Sequence, residues 1–448
     1  MLGSLGLLGL ALPRLYIYST PALDPQPNST MWLTLLRQRG LQGAARCMDG
    51  SPPGYYFRRS SNSSADWLLF FEGGGWAFSA SDAVFRRETA LGSSKTWPAS
   101  RVGTGILSAD PAVNPDLAHF NVVYLKYCDG FCFAGGNATP LVYNRSEPIW
   151  FSGKANLDAI VADLAANRGL KRAERVLLGG SSAGALAVYL HVDDLGKRLR
   201  QLAPRLVDYR GVADAGWFPD IKNITGQAGL RPVTEWISKL ANATSSTRCL
   251  ADKSGSGQWP TSCFISNEVF PYIETPLFIL NSLYDFHNLF DTIGLSCTPP
   301  HTQRWGGKTF CNATEMSYFQ GLRAQVLEMW QRLGVLSSLQ GGVFAPACIC
   351  HTQTTMVGDS QGSWSSAAWT VPGGSANTAS SVFGRWWRKA GTPATWKAVD
   401  VATAWPSNRP CADFGVPPEC QNDYERHFNR GCQQGDGIVA ARTSTNGY

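Results

Sequence analysis

The sequence of 448 residues lacks the patterns that identify several large classes of protein. It has no block of consecutive lysines and arginines, and its net charge of +6 is small for its length, so nucleic acid is not an expected partner. After the first dozen residues, no stretch approaches the ~18–20 uninterrupted apolar residues of a membrane span. It contains no P-loop, no H-E-x-x-H motif and no EF-hand loop. We therefore expect no transmembrane segment, no metal ion and no cofactor.

Cysteine, in contrast, is plentiful. The chain has 12 cysteines, an even number, and none of them stands in a zinc-binding arrangement such as C-x2-C…C-x2-C. Acceptor motifs for N-glycosylation are spread along the chain, with candidates at Asn28, Asn62, Asn144, Asn223, Asn242 and Asn312. Together these features favour a secreted, disulfide-stabilised glycoprotein. The sequence does not determine which cysteines pair.

No internal repeat and no linker composition divides the chain. The first residues, M-L-G-S-L-G-L-L-G-L-A-L, resemble the apolar part of a signal peptide without the basic residues ahead of it. We expect a leader over 1–20 and a lead-in over 21–45, where three prolines disfavour regular structure. A single catalytic domain is predicted over 46–411, followed by a cysteine-containing tail over 412–448.

Short apolar runs alternate with helical patterns along the chain. Buried strands are predicted over 67–71, 121–127, 176–178, 277–280 and 343–344. Helical periodicity is present over 157–164 and again over 314–333. This alternation predicts an α/β fold of the α/β-hydrolase type, in which helices cover both faces of a mostly parallel central sheet.

The residues 180–184, G-S-S-A-G, fit the G-x-S-x-G turn that carries the nucleophile of α/β-hydrolases. An apolar strand precedes this turn and a helical segment follows it, so Ser182 is the predicted nucleophile. The glycines allow the strained backbone and the close packing of strand and helix that the turn requires. A second match centres on Ser360, but it follows H-T-Q-T-T-M-V and precedes S-W-S-S, which favours a polar loop.

A serine hydroxyl needs a base to remove its proton, and a carboxylate orients that base. In α/β-hydrolases the three residues follow the order serine, acid, histidine. After Ser182 the chain offers Asp285 at the end of a predicted strand and His351 after a later one. Position favours His351 as the base, and His287 and His427 remain alternatives.

Acyl transfer also needs hydrogen-bond donors for the oxyanion. The backbone N–H of Ala183, which follows the nucleophile, is one candidate. A second donor usually comes from a glycine-rich loop after an early strand, and Gly73-Gly74-Gly75-Trp76 occupies that place. The alternative interpretation of this segment is a purely structural turn.

The motifs in this chain resemble, in the same order, those of the pectin acetylesterase/Notum family of secreted carboxylesterases. They include C-M-D-G-S-P-P-G-Y-Y, F-E-G-G-G-W, Y-C-D-G-F-C-F-A-G, G-G-S-S-A-G, D-A-G-W-F-P-D, N-S-L-Y-D and C-I-C-H-T-Q. The resemblance implies a catalytic triad of Ser182, Asp285 and His351, with backbone oxyanion donors at Gly75, Trp76 and Ala183.

The chain also departs from the family pattern. Ala77 and Val84 stand where the family usually has cysteines, which indicates a lost disulfide. Cys132 and Cys350 stand where the plant members have none. The family's disulfide pairing therefore cannot be transferred to this chain as a whole.

We expect a secreted serine carboxylesterase, in the cell wall or a secretory compartment, that removes acetyl groups from a polysaccharide such as pectin. The first alternative is the same chemistry on a longer chain, a Notum-like removal of a fatty acyl group from a secreted protein. The second is a non-catalytic carbohydrate-binding protein on the same scaffold. We expect the protein to be a monomer.

Overall fold

The computed structural model describes residues 29–36, 44–137, 139–297, 309–347, 349–355, 364, 371 and 377–401. Its strands are β1 (Thr30–Leu35), β2 (Gly54–Arg58), β3 (Asp66–Phe71), β4 (Ser100–Val102), β5 (Asn121–Leu125), β6 (Arg175–Ser181), β7 (Asp208–Asp214), β8 (Leu277–Leu280), β9 (Tyr284–Asp285), β10 (Gly342–Ala345), β11 (Ile349–Cys350) and β12 (Lys397–Val399). Its α-helices are α1 (Ala80–Arg87), α2 (Gly153–Asp163), α3 (Ala183–Leu202), α4 (Arg231–Leu240), α5 (Thr247–Gly255), α6 (Ser266–Val269), α7 (Ala313–Arg332) and α8 (Ala379–Trp387).

Within the described residues, ten strands form one sheet in the order β12-β10-β8-β7-β6-β3-β5-β2-β1-β4. The strands from β12 to β5 are all parallel to their neighbours. The strands from β2 to β4 complete the sheet by antiparallel pairing. β9 and β11 form a separate parallel pair in which Asp285 lies opposite Cys350.

The two faces of the sheet carry separate hydrophobic cores. On β3, Trp67, Leu69 and Phe71 belong to one core, whereas Leu68 and Phe70 belong to the other, because successive side chains of a strand point to opposite faces. Helices α2, α3 and α7 pack on the first face and α8 packs on the second. The predicted α/β-hydrolase-like fold, with helices on both faces of a mostly parallel sheet, is confirmed.

Several elements lie where the sequence pattern predicts them. The strand predicted over 277–280 is β8, and the helix predicted over 314–333 is α7. The strand predicted over 121–127 ends earlier, at Leu125. The apolar runs succeed as predictors because a parallel strand covered on both faces needs apolar side chains at successive positions.

The expectation of irregular structure over 21–45 was wrong for the residues that form β1. Trp32 pairs with Phe57 of β2 on one side and with Ser100 of β4 on the other, and Met31 is fully buried. The prolines precede this strand and do not interrupt it. The sheet of the predicted catalytic domain therefore begins before residue 46.

Other predictions fall on residues outside the described part of the chain. These are the leader over 1–20, Asn28, Ser360, His427 and the tail over 412–448. They stay predictions.

Three disulfides join cysteines that the sequence left unpaired, and they confirm that the protein is disulfide-stabilised. The pairs are Cys47–Cys128, Cys249–Cys263 and Cys297–Cys311, while Cys132 and Cys350 are free thiols in the protein interior. The first pair links the segment before β2 to the segment after β5, and so it ties two neighbouring parts of the sheet together.

Four of the glycosylation candidates are accessible. Asn62, Asn144, Asn242 and Asn312 are exposed, and Asn223 is half-buried. Their modification stays a prediction. None of the helices in the described ranges combines the length and the apolar character that crossing a membrane requires.

Candidate active site

Ser182 stands alone between β6 and α3, with a backbone conformation of φ 56° and ψ −124°. This is an unfavourable conformation for a residue with a side chain, and such strain is concentrated at functional sites. A Cβ on Gly180 would collide with the carbonyl group of Gly184, so the turn is too tight for a larger residue. The N–H of Ser182 donates to the carbonyl oxygen of Asp214 at 2.8 Å, which joins the turn to the end of β7.

The glycine-rich loop after β3 lies directly against this turn. A Cβ on Gly73 would stand 2.5 Å from the carbonyl oxygen of Ser181 and 3.1 Å from the Cβ of Ser182. A Cβ on Gly184 would in turn collide with the carbonyl group of Phe71 at the end of β3. Both glycines are therefore required for the close approach of the two loops.

The structure brings His351, Asp285 and Ser182 together. Nε2 of His351 lies 2.8 Å from Oγ of Ser182, and Nδ1 of the same ring lies 2.8 Å from Oδ2 of Asp285. The pairing of β9 with β11 produces this arrangement, because it sets Asp285 opposite Cys350, the residue before His351. The side chains come from positions 66 and 169 residues apart in the sequence.

The surroundings of His351 act on the pKa of its ring in opposite directions. Burial of the ring disfavours the charged form, but the carboxylates of Asp285 and Asp214 favour it and prevail. The pKa of His351 is therefore raised above its ordinary value. A base with a raised pKa binds a proton more strongly, which suits a group that must take one from a hydroxyl.

His287, the alternative base, lies beside His351. Its ring stacks on that of His351 with 5.8 Å between the centroids, and it also contacts Trp76 and Phe218. Burial, together with the charge of the neighbouring His351, lowers the pKa of His287 to about 4. Among the described residues, the histidine that reaches the hydroxyl of Ser182 is His351.

Asp214 belongs to the same site, although its sequence context suggested no role for it. Its Oδ2 accepts hydrogen bonds from the N–H groups of Gln353 and Thr354, both at 2.7 Å, and from the Thr354 hydroxyl at 2.6 Å. These donors belong to the second and third residues after His351 in the sequence. One sequence signal could have identified Asp214, namely its position at the end of a buried strand, β7. This strand lies next to β6, which precedes Ser182, and Asp214 pairs with Ser181.

Two side chains, those of Arg86 and Tyr127, donate hydrogen bonds to the loop that supplies the predicted oxyanion donors. Gly74 and Gly75 have φ values of +144° and +64°, which side-chain-bearing residues rarely adopt. The carbonyl oxygen of Gly74 accepts from Nη1 of Arg86 at 2.8 Å, and that of Gly75 accepts from the Tyr127 hydroxyl at 2.7 Å. In the described part of the chain, the N–H groups of Gly75, Trp76 and Ala183 have no hydrogen-bond acceptor. They are free to bind a ligand.

A buried ion pair supports the base of this loop. Glu72, which precedes the loop, accepts from Nζ of Lys126 at 2.6 Å and from the N–H of Tyr127 at 2.7 Å. Both side chains of the pair are 1% exposed. The pair fixes the end of β3 against the end of β5, and so it fixes the starting point of the loop.

A hydroxyl, an imidazole and a carboxylate in series can transfer a proton from the hydroxyl and stabilise the imidazolium that results. The arrangement therefore suits nucleophilic attack on a carbonyl carbon. Within the described ranges, no group of three or more histidine, cysteine, aspartate or glutamate side chains could hold a metal ion.

The fold and the elements that carry the site define an α/β-hydrolase. The family model named Pectinacetylesterase matches residues 25–412, and the chain belongs to that family. It is 32% identical over 337 residues to pectin acetylesterase 7 of Arabidopsis thaliana, a match that covers 74% of this chain and 82% of that protein. It is also 32% identical over 346 residues to the palmitoleoyl-protein carboxylesterase NOTUM of Mus musculus, covering 74% of this chain and 62% of that protein.

This family membership confirms the resemblance seen in the sequence motifs. It also makes the protein an enzyme of the carboxylic ester hydrolase class.

Proposed function

We propose that the protein is a serine carboxylesterase with Ser182 as its nucleophile. His351 takes the hydroxyl proton as Oγ attacks the ester carbonyl carbon, and Asp285 holds the ring in the required tautomer and stabilises the imidazolium. The observation that carries this proposal is the pair of 2.8 Å contacts that His351 makes, one to Ser182 and one to Asp285.

The N–H groups of Gly75, Trp76 and Ala183 bind the oxyanion of the tetrahedral intermediate in this proposal. Support comes from the lack of any other acceptor for them within the described residues and from the close approach of the loop to the serine. His351 then gives its proton to the leaving alcohol, and an acyl-enzyme remains on Ser182. A water molecule, deprotonated by His351, hydrolyses the acyl-enzyme and restores the serine.

An acetyl ester on a polysaccharide such as pectin is the proposed substrate. Relatives named pectin acetylesterase support this choice. The rings of Trp76, Phe218 and His287 contact one another, with centroids 4.9–5.6 Å apart, and the last of these stacks on His351. Rings packed this closely leave no space for an acyl chain between one another. The net charge of +6 suits an acidic polymer.

The second candidate substrate is a fatty acyl group on a protein. A relative named as a palmitoleoyl-protein carboxylesterase, at the same 32% identity, favours it. The two candidates share the chemistry at Ser182 and differ in the length of the acyl chain that the site accepts.

We further propose that the enzyme is secreted and monomeric, with one catalytic domain that contains β1 as well as residues 46–411. Disulfides persist in oxidising compartments, and three disulfides are present in the described residues. β1 belongs to the sheet that carries the site.

The test is a panel of p-nitrophenyl esters from acetate to octanoate and longer, assayed with the wild type and with Ser182→Ala. Loss of the nucleophile should lower kcat by a factor on the order of 10^6. Ser360→Ala is the matched control, because Ser360 is the central serine of the other G-x-S-x-G match, and it should keep wild-type kcat.

Comparable turnover by Ser182→Ala would refute the serine mechanism. Preference for octanoate or longer esters would overturn the acetyl substrate and keep the mechanism. Binding of acetylated pectin without turnover of any ester would support the non-catalytic alternative.

A further inference from the structure

We propose that Arg86 and Tyr127 position and polarise the two peptide groups of the glycine-rich loop that bind the oxyanion. Neither residue touches the substrate in this proposal. Each acts through a backbone carbonyl whose own peptide group carries one of the N–H donors. The inference rests on the proposed function, since it takes the N–H groups of Gly75 and Trp76 as oxyanion donors.

The first peptide group is the one that joins Gly74 to Gly75. Its carbonyl oxygen, on Gly74, accepts a hydrogen bond from Nη1 of Arg86 at 2.8 Å, and its N–H belongs to Gly75. Nη2 of Arg86 lies 3.5 Å from the position that a Cβ on Gly75 would occupy. The guanidinium group therefore lies along this peptide group, on the helix α1 that follows the loop.

The second peptide group joins Gly75 to Trp76. Its carbonyl oxygen accepts from the hydroxyl of Tyr127 at 2.7 Å, and its N–H belongs to Trp76. The same hydroxyl accepts from the N–H of Cys132 at 3.1 Å, so its proton is directed towards the loop. The result is a chain of hydrogen bonds that runs from Cys132 through Tyr127 to the peptide group that carries the second donor.

A hydrogen bond to a carbonyl oxygen draws electron density along the peptide group and makes its N–H a stronger donor, as in other hydrogen-bond chains. A charged donor such as a guanidinium does this more strongly than a neutral one. Both bonds also restrain a loop whose glycines could adopt many other conformations. Oxyanion stabilisation depends on donors that are already aligned before the reaction.

Among the residues that the structure describes, Arg86 forms no ion pair. Within the described residues no carboxylate oxygen lies within 4.0 Å of its guanidinium group, whereas its neighbour Arg87 pairs with Glu88. Arg86 is half-buried, and its Nε is a buried donor without a partner in the described part of the chain. The buried carboxyl group of Asp129 lies close enough to interact electrostatically with Arg86, and negative charge on the bound oxyanion would interact with the same half-buried guanidinium group.

The experiment compares Arg86→Met, Arg86→Lys and Tyr127→Phe with the wild type, and uses Arg87→Met as the matched control from the same helix. Three quantities are measured: kcat and KM for p-nitrophenyl acetate, and the Ki of a trifluoromethyl ketone. This inhibitor adds to the serine and places a negative oxygen at the oxyanion position. Ki thus reports on the oxyanion donors. A general loss of folding would reduce the amount of active enzyme and would not change Ki.

Arg86→Met should lower kcat by about tenfold to 10²-fold, which is less than the effect of removing an oxyanion donor outright. KM should stay within about threefold, and Ki should rise by the same factor as kcat falls, because both report the oxyanion rather than ground-state binding. Arg86→Lys keeps the charge and a donor and should recover most of the loss. Tyr127→Phe should lower kcat about fivefold, the value of one neutral hydrogen bond.

An unchanged Ki in Arg86→Met would overturn the proposal, whether or not kcat falls, because the residue would then be merely structural. An equal loss in Arg87→Met would overturn it too. If Arg86→Met does not fold, the Ki of Tyr127→Phe decides, because Arg86→Lys keeps the charge and is expected to stay near the wild type. A wild-type Ki in Tyr127→Phe then refutes the inference. Failure of the proposed function is recognised separately, by turnover that survives in Ser182→Ala.

Discussion

Asp214 connects the nucleophile to the loop that carries the proposed base. Its carbonyl oxygen accepts the N–H of Ser182 at 2.8 Å, while its Oδ2 accepts two N–H groups and one hydroxyl from Gln353 and Thr354 at 2.6–2.7 Å. These donors lie two and three residues after His351 in the same loop. We predict that Asp214→Asn displaces the His351 loop and lowers kcat without a comparable change in KM.

The size of the effect follows from the three hydrogen bonds. A hydrogen bond to a charged group contributes about 1.5–3 kcal/mol and one to a neutral group about 0.5–1.5 kcal/mol, so loss of the charge weakens three bonds by roughly 3 kcal/mol in total. Burial raises the pKa of Asp214, which shows that the buried charge itself has a cost. Removal of that cost offsets part of the loss, and the free energy of unfolding should fall by about 1–2 kcal/mol.

The loss of activity should exceed what this change in stability suggests. Displacement of a reacting group by about 1 Å can cost about 10²-fold in rate, and the His351 loop depends on these bonds for its position. The carboxylate of Asp214 also helps to raise the pKa of His351. The base must be neutral to act, so the acidic limb of the kcat profile should move to lower pH in Asp214→Asn.

The assay is the hydrolysis of p-nitrophenyl acetate across a range of pH, combined with urea unfolding. Asp208→Asn is the control, because Asp208 lies at the other end of the same strand and pairs with Arg210. It should keep wild-type kcat and the wild-type pH profile. If Asp214→Asn loses stability but keeps kcat within twofold, the carboxylate is structural only and the reasoning is refuted.

Three further predictions concern Asp285, the buried ion pair and the disulfide between Cys47 and Cys128. Asp285→Asn should lower kcat by about 10^4-fold. It should also shift the acidic limb of the pH profile of kcat to lower pH, because the carboxylate raises the pKa of His351. An unshifted limb would contradict this prediction. Lys126→Met leaves a buried carboxylate unpaired and should lower the free energy of unfolding in urea by about 3–5 kcal/mol, whereas a change below 1 kcal/mol would show that the charge is solvated. Replacement of Cys47 and Cys128 by serine opens a loop of 81 residues and should cost about 4–5 kcal/mol on the same assay; wild-type stability would exclude the loop-closure account.

Part of this site could be predicted from the sequence, because it is encoded locally. The turn around Ser182 needs glycines at fixed spacing between an apolar strand and a helix, and such a requirement appears in any single sequence. Strand β8 was predicted with its observed ends because a strand buried on both faces is a continuous apolar run. The same reasoning placed Asp285 after that strand.

Other parts of the site were open or missed because they depend on contacts between distant segments. The sequence left His287 as a rival to His351, and the pairing of β9 with β11 brings His351 to Asp285. β1 was missed because its pairing with β2 and β4 cannot be seen in six residues alone.

The sequence by itself determined the class of fold and the place of the glycine-rich loop and of Ser182, the predicted nucleophile, since each follows from the local spacing of residue types. Only the tertiary structure decided which histidine meets the serine and what holds the loops. Asp214, Arg86 and Tyr127 act largely on backbone N–H and C=O groups. Every residue has such groups, so no residue pattern marks the ones that these side chains contact.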